Sequence, residues 1–123
     1  MWSAMTVNQN ATRAGKKFET DLMKYMRERE FDVERLRLTG VEDEGDLMVR
    51  IGPVTRYVIE AKRTKSLDLA GWVREAQVER ENYDAHRAIG HGGTGFVVVH
   101  YARNKGLGGS YVTTTLDEWL ARL

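Results

Sequence analysis

Hydrophobic residues recur at helical spacing from Thr12 onward. The positions of this apolar stripe fit one face of an α-helix, and they are Ala14, Phe18, Leu22, Tyr25 and Met26. The preceding segment, residues 1–11, is polar and lacks any such period, so it is expected to be flexible. Residues 31–38 then alternate crudely between apolar and polar side chains, which predicts a first strand.

Two short apolar runs between Gly45 and Lys65 predict a β-hairpin with its turn at residues 51–54. If the hairpin folds symmetrically about Pro53, Asp46 lies opposite Glu60. Strand side chains alternate between the two faces of a sheet. Lys62 is then expected on the same face as both acids.

The rest of the chain continues the alternation of helix and strand. A helix is predicted from about Leu69, capped by Asp68. Arg80 falls inside its apolar face, which predicts either a side chain whose stem is buried and whose charge reaches solvent, or an internal partner. The apolar run 96–101 predicts a buried strand. A further strand at 110–114 and a capped helix from about Leu116 complete the chain. This order predicts an α/β fold with a mixed sheet flanked by helices, forming one domain over residues 12–123.

Composition limits the possible functions without selecting one. The 123 residues carry a formal net charge of +1, so overall charge argues neither for nor against a nucleic-acid partner. The absence of cysteine excludes disulfides and cysteine-based zinc sites. No apolar run approaches the length of a membrane span and no cleavable signal is visible, which predicts a cytoplasmic protein without a membrane partner.

The acids of the hairpin suit a hard cation. Carboxylate oxygens of Asp46 and Glu60, with the carbonyl of Ala61, are candidate ligands for Mg²⁺, for which Mn²⁺ is expected to substitute. Lys62 is placed to steady an attacking water or the charge that develops on a phosphate. The alternative is a cross-strand ion pair on a solvated sheet face.

The segments G-D-L-M-V and V-I-E-A-K resemble the PD-(D/E)XK nuclease superfamily, and the chain is most similar to the small Holliday junction resolvases of archaea, phages and actinobacteria. This resemblance implies a restriction-endonuclease-like fold and Mg²⁺-dependent hydrolysis of DNA phosphodiesters. It assigns metal binding and catalysis to Asp46, Glu60 and Lys62. It makes Glu19, on the first helix, an auxiliary acid that would otherwise be an exposed edge residue. Gly45 stands where the superfamily name has proline.

The resemblance also implies DNA contacts, a homodimer and a role in DNA recombination or repair, in the host cytoplasm if the protein is phage-encoded. The candidate DNA-binding residues are basic or polar and lie in four segments: Arg13, Lys16, Lys17, Arg63, Lys65, Gln77, Arg103 and Lys105. A solvated surface is the alternative for each of them. In the acidic segment 42–46, Asp43 is an alternative ligand for the cation.

Two other functions stay open, namely another nuclease of the same fold and a nucleic-acid-binding module without turnover.

Overall fold

A computed structural model describes the backbone of residues 2–36, 45–89 and 93–123, and the side chains from residue 13 onward within those ranges. The elements follow one another as α1 (Trp2–Glu28), β1 (Asp32–Arg35), β2 (Leu47–Arg50), β3 (Arg56–Lys62), α2 (Leu69–His86), β4 (Thr94–His100), a 3₁₀ turn (Leu107–Gly109), β5 (Tyr111–Thr113) and α3 (Leu116–Ala121). The predicted mixed sheet flanked by helices is confirmed.

The five strands form one sheet in the order β1-β2-β3-β4-β5. All neighbouring strands are antiparallel except β3 and β4, which are parallel because α2 crosses between them. In the hairpin of β2 and β3, Leu47 faces Ile59 and Arg50 faces Arg56. This is the register predicted from the turn at Pro53, and it places Asp46 one step before the first pair.

The two faces of the sheet carry different helices. α1 packs Phe18 and Leu22 against a cluster that includes Leu47, Val49 and Ile59. Met48 and Val58 point to the opposite face and pack against Tyr83 of α2. Because side chains alternate along a strand, Asp46, Glu60 and Lys62 belong to the α2 face.

Two predicted boundaries differ from the structure. α1 begins at Trp2 rather than Thr12, so the segment 1–11, predicted to be flexible, is helical from Trp2. Its residues include good helix formers and no glycine or proline, and a helix can therefore continue beyond the part that packs on the core. β1 ends at Arg35, while residues 37 and 38 lie outside the described residues. Within the described part of the chain, no helix is long and apolar enough to cross a membrane.

Arg80 fastens α2 to the rest of the fold through internal partners, the second of the two predicted alternatives. Its Nη1 donates a hydrogen bond of 3.1 Å to the carbonyl of Thr94. The guanidinium carbon lies 5.0 Å from the centre of the Phe96 ring, and Nη1 lies 3.7 Å from Oε2 of Glu118 in α3. The predicted cap of α2 is also present, since Gly71 N–H donates to Asp68 Oδ1 over 3.1 Å. Arg80 thus anchors α2 to β4 and α3, while Asp68 stabilises the N-terminus of the helix.

Candidate metal centre

Asp46 is held in place by both of its strand neighbours. Its carbonyl accepts a hydrogen bond from Leu36 N–H (2.9 Å), and its own N–H donates to the carbonyl of Ile59 (3.0 Å). Ala61 N–H donates to Asp46 Oδ2 over 2.8 Å, which fixes the carboxylate beside β3. Ala61, whose carbonyl is a predicted ligand, therefore lies directly beside Asp46.

Gly45 allows this close approach. Its φ is +104°, and a Cβ built on it would lie 2.7 Å from Val58 Cγ1 and 3.0 Å from Glu79 Oε2. Proline has φ near −65°, so it cannot take this backbone conformation. Glycine at position 45 is thus required by the path of the chain into β2.

Glu60 is almost completely removed from solvent, with 5% of its surface exposed. Burial, and after it hydrogen bonds with the carboxyl groups of Glu79 and Asp46, raise the pKa of Glu60 to about 12. Among the described residues, no N–H or hydroxyl group donates to its buried Oε2. Carboxylates cannot hydrogen-bond to each other unless a proton lies between them. Glu60 therefore requires a proton or a cation.

Two acids of α2, Glu75 and Glu79, complete this environment, and sequence analysis missed both. They lie one helical turn apart. One carboxylate oxygen from each of Glu60, Glu75 and Glu79 lies within 4.8 Å of the other two. Glu79 is only 2% exposed. Its signal was available in the sequence, because it falls three residues after Ala76 and four before Tyr83, inside the apolar stripe of α2.

Lys62 forms an ion pair with the outer acid of the cluster. Its Nζ lies 2.9 Å from Glu75 Oε2, and the side chains of Lys62 and Glu75 are 21% and 45% exposed. Burial alone would lower the pKa of the Lys62 ammonium, but the hydrogen bond to Glu75 and the charges of the nearby acids raise it. Lys62 is thus a cation at neutral pH and lies at the mouth of the cluster.

Glu19 approaches from α1. Its side chain is half-buried, and burial, followed by the charge of Asp46, raises the pKa of its carboxyl group. The structure therefore brings together four predicted site residues, with Asp46 between Glu19 on one side and Glu60 on the other, and Lys62 near both strand acids. Asp43, the alternative ligand, lies outside the described residues.

Basic side chains occur at the same edge of the sheet as these acids. In α1, Glu19 lies beside Asp46, and Arg27, further along the helix, donates a hydrogen bond to the carbonyl of Val33. The helix therefore runs along the sheet away from the acids, and the residues before Glu19 extend past this edge. The ends of β3 and β4 lead directly into the other basic segments. The predicted DNA-binding cations here are all exposed, namely Arg13, Lys16, Lys17, Arg63, Lys65, Arg103 and Lys105.

Gln77 does not share this location. It is exposed and lies about 200° around α2 from both Glu75 and Glu79, at about 100° per residue. Its side chain therefore faces away from the acidic cluster. Arg35 is a cation near the site that sequence analysis did not select, and its charge acts on Glu19.

Comparison with known proteins adds no assignment. No model of a protein family matches this chain, and a search of curated proteins finds no similar sequence. The geometry of the acidic cluster and the resemblance of its motif are therefore the two grounds for a function.

The protonated state of Glu60 predicts how stability depends on pH. Without a cation, the folded protein keeps a proton that an unfolded glutamate loses above its ordinary pKa of 4.5. The folded state then binds more protons than the unfolded state, so its stability falls as pH rises. In chelator, the melting temperature should therefore decrease between about pH 5 and about pH 9.

Saturating Mg²⁺ should reduce this decrease, because a cation takes the place of the proton. Glu60→Gln should reduce it as well, whereas Glu81→Gln, at an exposed position of α2, should retain it. Thermal melts across this pH range provide the measurement. A melting temperature that is constant or rises with pH in chelator would contradict a protonated Glu60.

Proposed function

We propose that this protein is a Mg²⁺-dependent DNA endonuclease of the PD-(D/E)XK superfamily with a restriction-endonuclease-like fold. The observation that supports this most directly is the hydrogen bond from Ala61 N–H to Asp46 Oδ2. It holds the carboxylate of Asp46 against Ala61, the residue next to Glu60, near the end of β3. Two carboxylates and a carbonyl are ligands that Mg²⁺ prefers, and the buried Glu60 Oε2 needs a positive partner.

The residues around this site have distinct roles in phosphodiester hydrolysis. Asp46, Glu60 and the Ala61 carbonyl would hold the cation, which stabilises negative charge on the phosphate and lowers the pKa of a bound water. The ammonium of Lys62, at the mouth of the cluster, orients the attacking water or offsets the charge that grows on the phosphate. Glu19, close to Asp46, would hold the cation indirectly, through a bound water.

DNA binding would involve the exposed cations at the same edge. Near-neutral net charge means that affinity depends on local basic surfaces rather than on the whole molecule. The preceding turns of α1 and the segments after β3 and β4 supply such surfaces on both sides of the acids. A phosphate backbone that contacts these surfaces would lie across the cluster.

Within this class we propose a Holliday junction resolvase that acts as a homodimer. A junction has two symmetric strands to cut, and a two-fold dimer matches this symmetry. Two copies would also double the basic segments into a surface wide enough for branched DNA. The exposed apolar side chains of Val112, Leu116 and Trp119 offer a surface that a second copy can cover.

The test is cleavage of labelled four-way junction, flap, duplex and single-stranded DNA with Mg²⁺, Mn²⁺ or chelator. We expect paired nicks near the crossover of the junction, no cutting in chelator, and tighter binding to the junction than to duplex in a competition titration. Binding should weaken steeply with salt, and each lost phosphate contact should reduce the slope of log K against log salt by about one.

Other outcomes assign the alternatives. Equal affinity for junction and duplex, with cuts at a fixed sequence in both, would favour a restriction-like nuclease. Binding without cutting under any metal condition would favour a module without turnover and would contradict the proposed activity. Light scattering of the free protein should give twice the mass of one chain, and a monomer bound to each junction would contradict the dimer.

A further inference from the structure

The acids of α2 extend beyond what the nuclease motif requires. The motif is satisfied by Asp46, Glu60 and the Ala61 carbonyl, which lie together where β2 begins and β3 ends. Glu75 and Glu79 approach Glu60 from another direction, from the helix that covers this face of the sheet. Neither is part of the motif, and the proposed reaction leaves both without a role.

We infer that Glu60, Glu75 and Glu79 form a second divalent-cation site, which shares Glu60 with the site at Asp46. The inference rests on the proposed function only in assuming that the site at Asp46 also binds a cation. Three acid oxygens that lie within 4.8 Å of one another match the spacing around a single hard cation, which lies about 2.0–2.6 Å from each ligand. The cation would be Mg²⁺, Mn²⁺ or Ca²⁺.

Burial is the second observation that points to a cation here. Glu60 and Glu79 are 5% and 2% exposed, and the surrounding α2 residues Trp72, Ala76 and Tyr83 are buried as well. An ionised carboxylate in such surroundings is very costly unless it is paired or coordinates a metal. Glu60 Oε2 is buried and, in the described part of the chain, no N–H or hydroxyl group donates to it. A shared cation neutralises both acids at once.

The position of Glu75 gives the second site an entrance. Glu75 is the only half-exposed acid of the three, and its partner is Lys62 Nζ at 2.9 Å. A cation that binds Glu75 competes with this ammonium and repels it. Lys62 is then displaced from the α2 acids toward the first site, where the proposed reaction needs a positive group. Occupation of the second site would thus release Lys62 for catalysis.

A simpler alternative is that Glu79 is a neutral acid that only shares a proton with Glu60. The two possibilities differ in what Glu79→Gln does. A glutamine keeps the size of the side chain and can donate a hydrogen bond to Glu60, so a proton-sharing role survives the substitution. A neutral amide is a poor ligand for a hard cation, so a metal-binding role does not survive it.

The experiment is equilibrium binding of Mn²⁺ to the full chain without DNA, followed by isothermal calorimetry and by electron paramagnetic resonance. Wild type should bind two Mn²⁺ per chain, and the spectrum should show coupled ions, because ions that share a carboxylate lie about 3.5–4 Å apart. Asp46→Asn should remove one ion and Glu79→Gln the other, and either change should abolish the coupling. Glu81→Gln, exposed on the same helix, should retain both ions.

Two further variants keep the outcome decisive if Glu79→Gln does not fold. Glu75→Gln changes a half-exposed side chain and should also remove one ion. Lys62→Met removes the competing ammonium and should tighten the second ion. One Mn²⁺ in wild type that is lost in Asp46→Asn and retained in both α2 variants would overturn the second site and leave the proposed nuclease intact. Two uncoupled ions would overturn the shared Glu60. No bound Mn²⁺ in wild type would overturn both proposals.

Discussion

Asp46→Asn and Glu60→Gln should each lower DNA cleavage by on the order of 10²–10³-fold, because each removes a charged ligand from the cation that stabilises the transition state. Both substitutions preserve the shape of the side chain. In Asp46→Asn, the amide oxygen can still accept the hydrogen bond from Ala61 N–H, which holds the start of β2. Single-turnover cleavage of a labelled junction at saturating Mg²⁺ provides the rate.

Stability and DNA binding separate this loss of activity from misfolding. Glu60→Gln should be at least as stable as wild type near neutral pH, since it replaces a buried acid with a neutral amide that can hydrogen-bond to Glu79. DNA affinity should be unchanged in Glu60→Gln, because without a cation that carboxyl group is already neutral. It should be unchanged or slightly higher in Asp46→Asn, because a negative charge is lost. Glu81→Gln serves as the matched control and should cut at the wild-type rate. Undiminished cutting by either site variant would exclude the substituted residue as a metal ligand and contradict the proposed site.

The hairpin was the part of the site that the sequence could predict. The chain has a single proline, Pro53, and it lies midway between two apolar runs of similar length. A turn there leaves one register that keeps Leu47, Val49 and Ile59 on one face, and a shift by one residue would turn these side chains to the other face. Local chemistry thus determined which strand residues meet, and the observed pairing of β2 with β3 agrees.

The helix side of the site could not be predicted in the same way. Which residue of α2 meets Glu60 depends on the rotation of the helix about its axis and on its position along β3 and β4. Arg80 helps to set both, through Thr94 and Glu118, which are distant in sequence. Periodicity indicates only that the face containing Ala76 and Tyr83 is buried. It does not reveal that Glu79, on the same face, lies against a second acid.

The resemblance and the structure contribute different parts of the functional argument. The motif selects Asp46, Glu60 and Lys62 from a chain in which 30% of the residues are charged. The structure adds that Glu60 is buried, that Glu19 reaches Asp46, and that Lys62 is paired with Glu75. The DNA-binding residues stay a prediction, since exposure alone does not distinguish a phosphate contact from a solvated cation.

Lys62→Met should lower the rate of single-turnover cleavage by on the order of 10²-fold, as the loss of a preorganised charge does. Methionine retains most of the packing of the lysine stem but carries no charge. Junction affinity should fall only slightly, because the exposed basic segments keep all of their cations. Mn²⁺ affinity should be unchanged or higher, since the ammonium no longer repels a cation near Glu60 and Glu75.

This combination distinguishes a catalytic lysine from one that only joins β3 to α2. If Lys62 had a structural role alone, its removal would lower the melting temperature and leave the rate of the folded protein unchanged. Glu75→Gln provides the matched comparison, since it breaks the same ion pair and leaves the ammonium in place. The second ion that this variant would lose is proposed to act only by releasing Lys62. A charge that acts on the phosphate predicts a large loss of rate in Lys62→Met and a much smaller one in Glu75→Gln. Equal cleavage rates in the two variants would mean that any loss of activity comes from breaking the ion pair and not from removing the lysine.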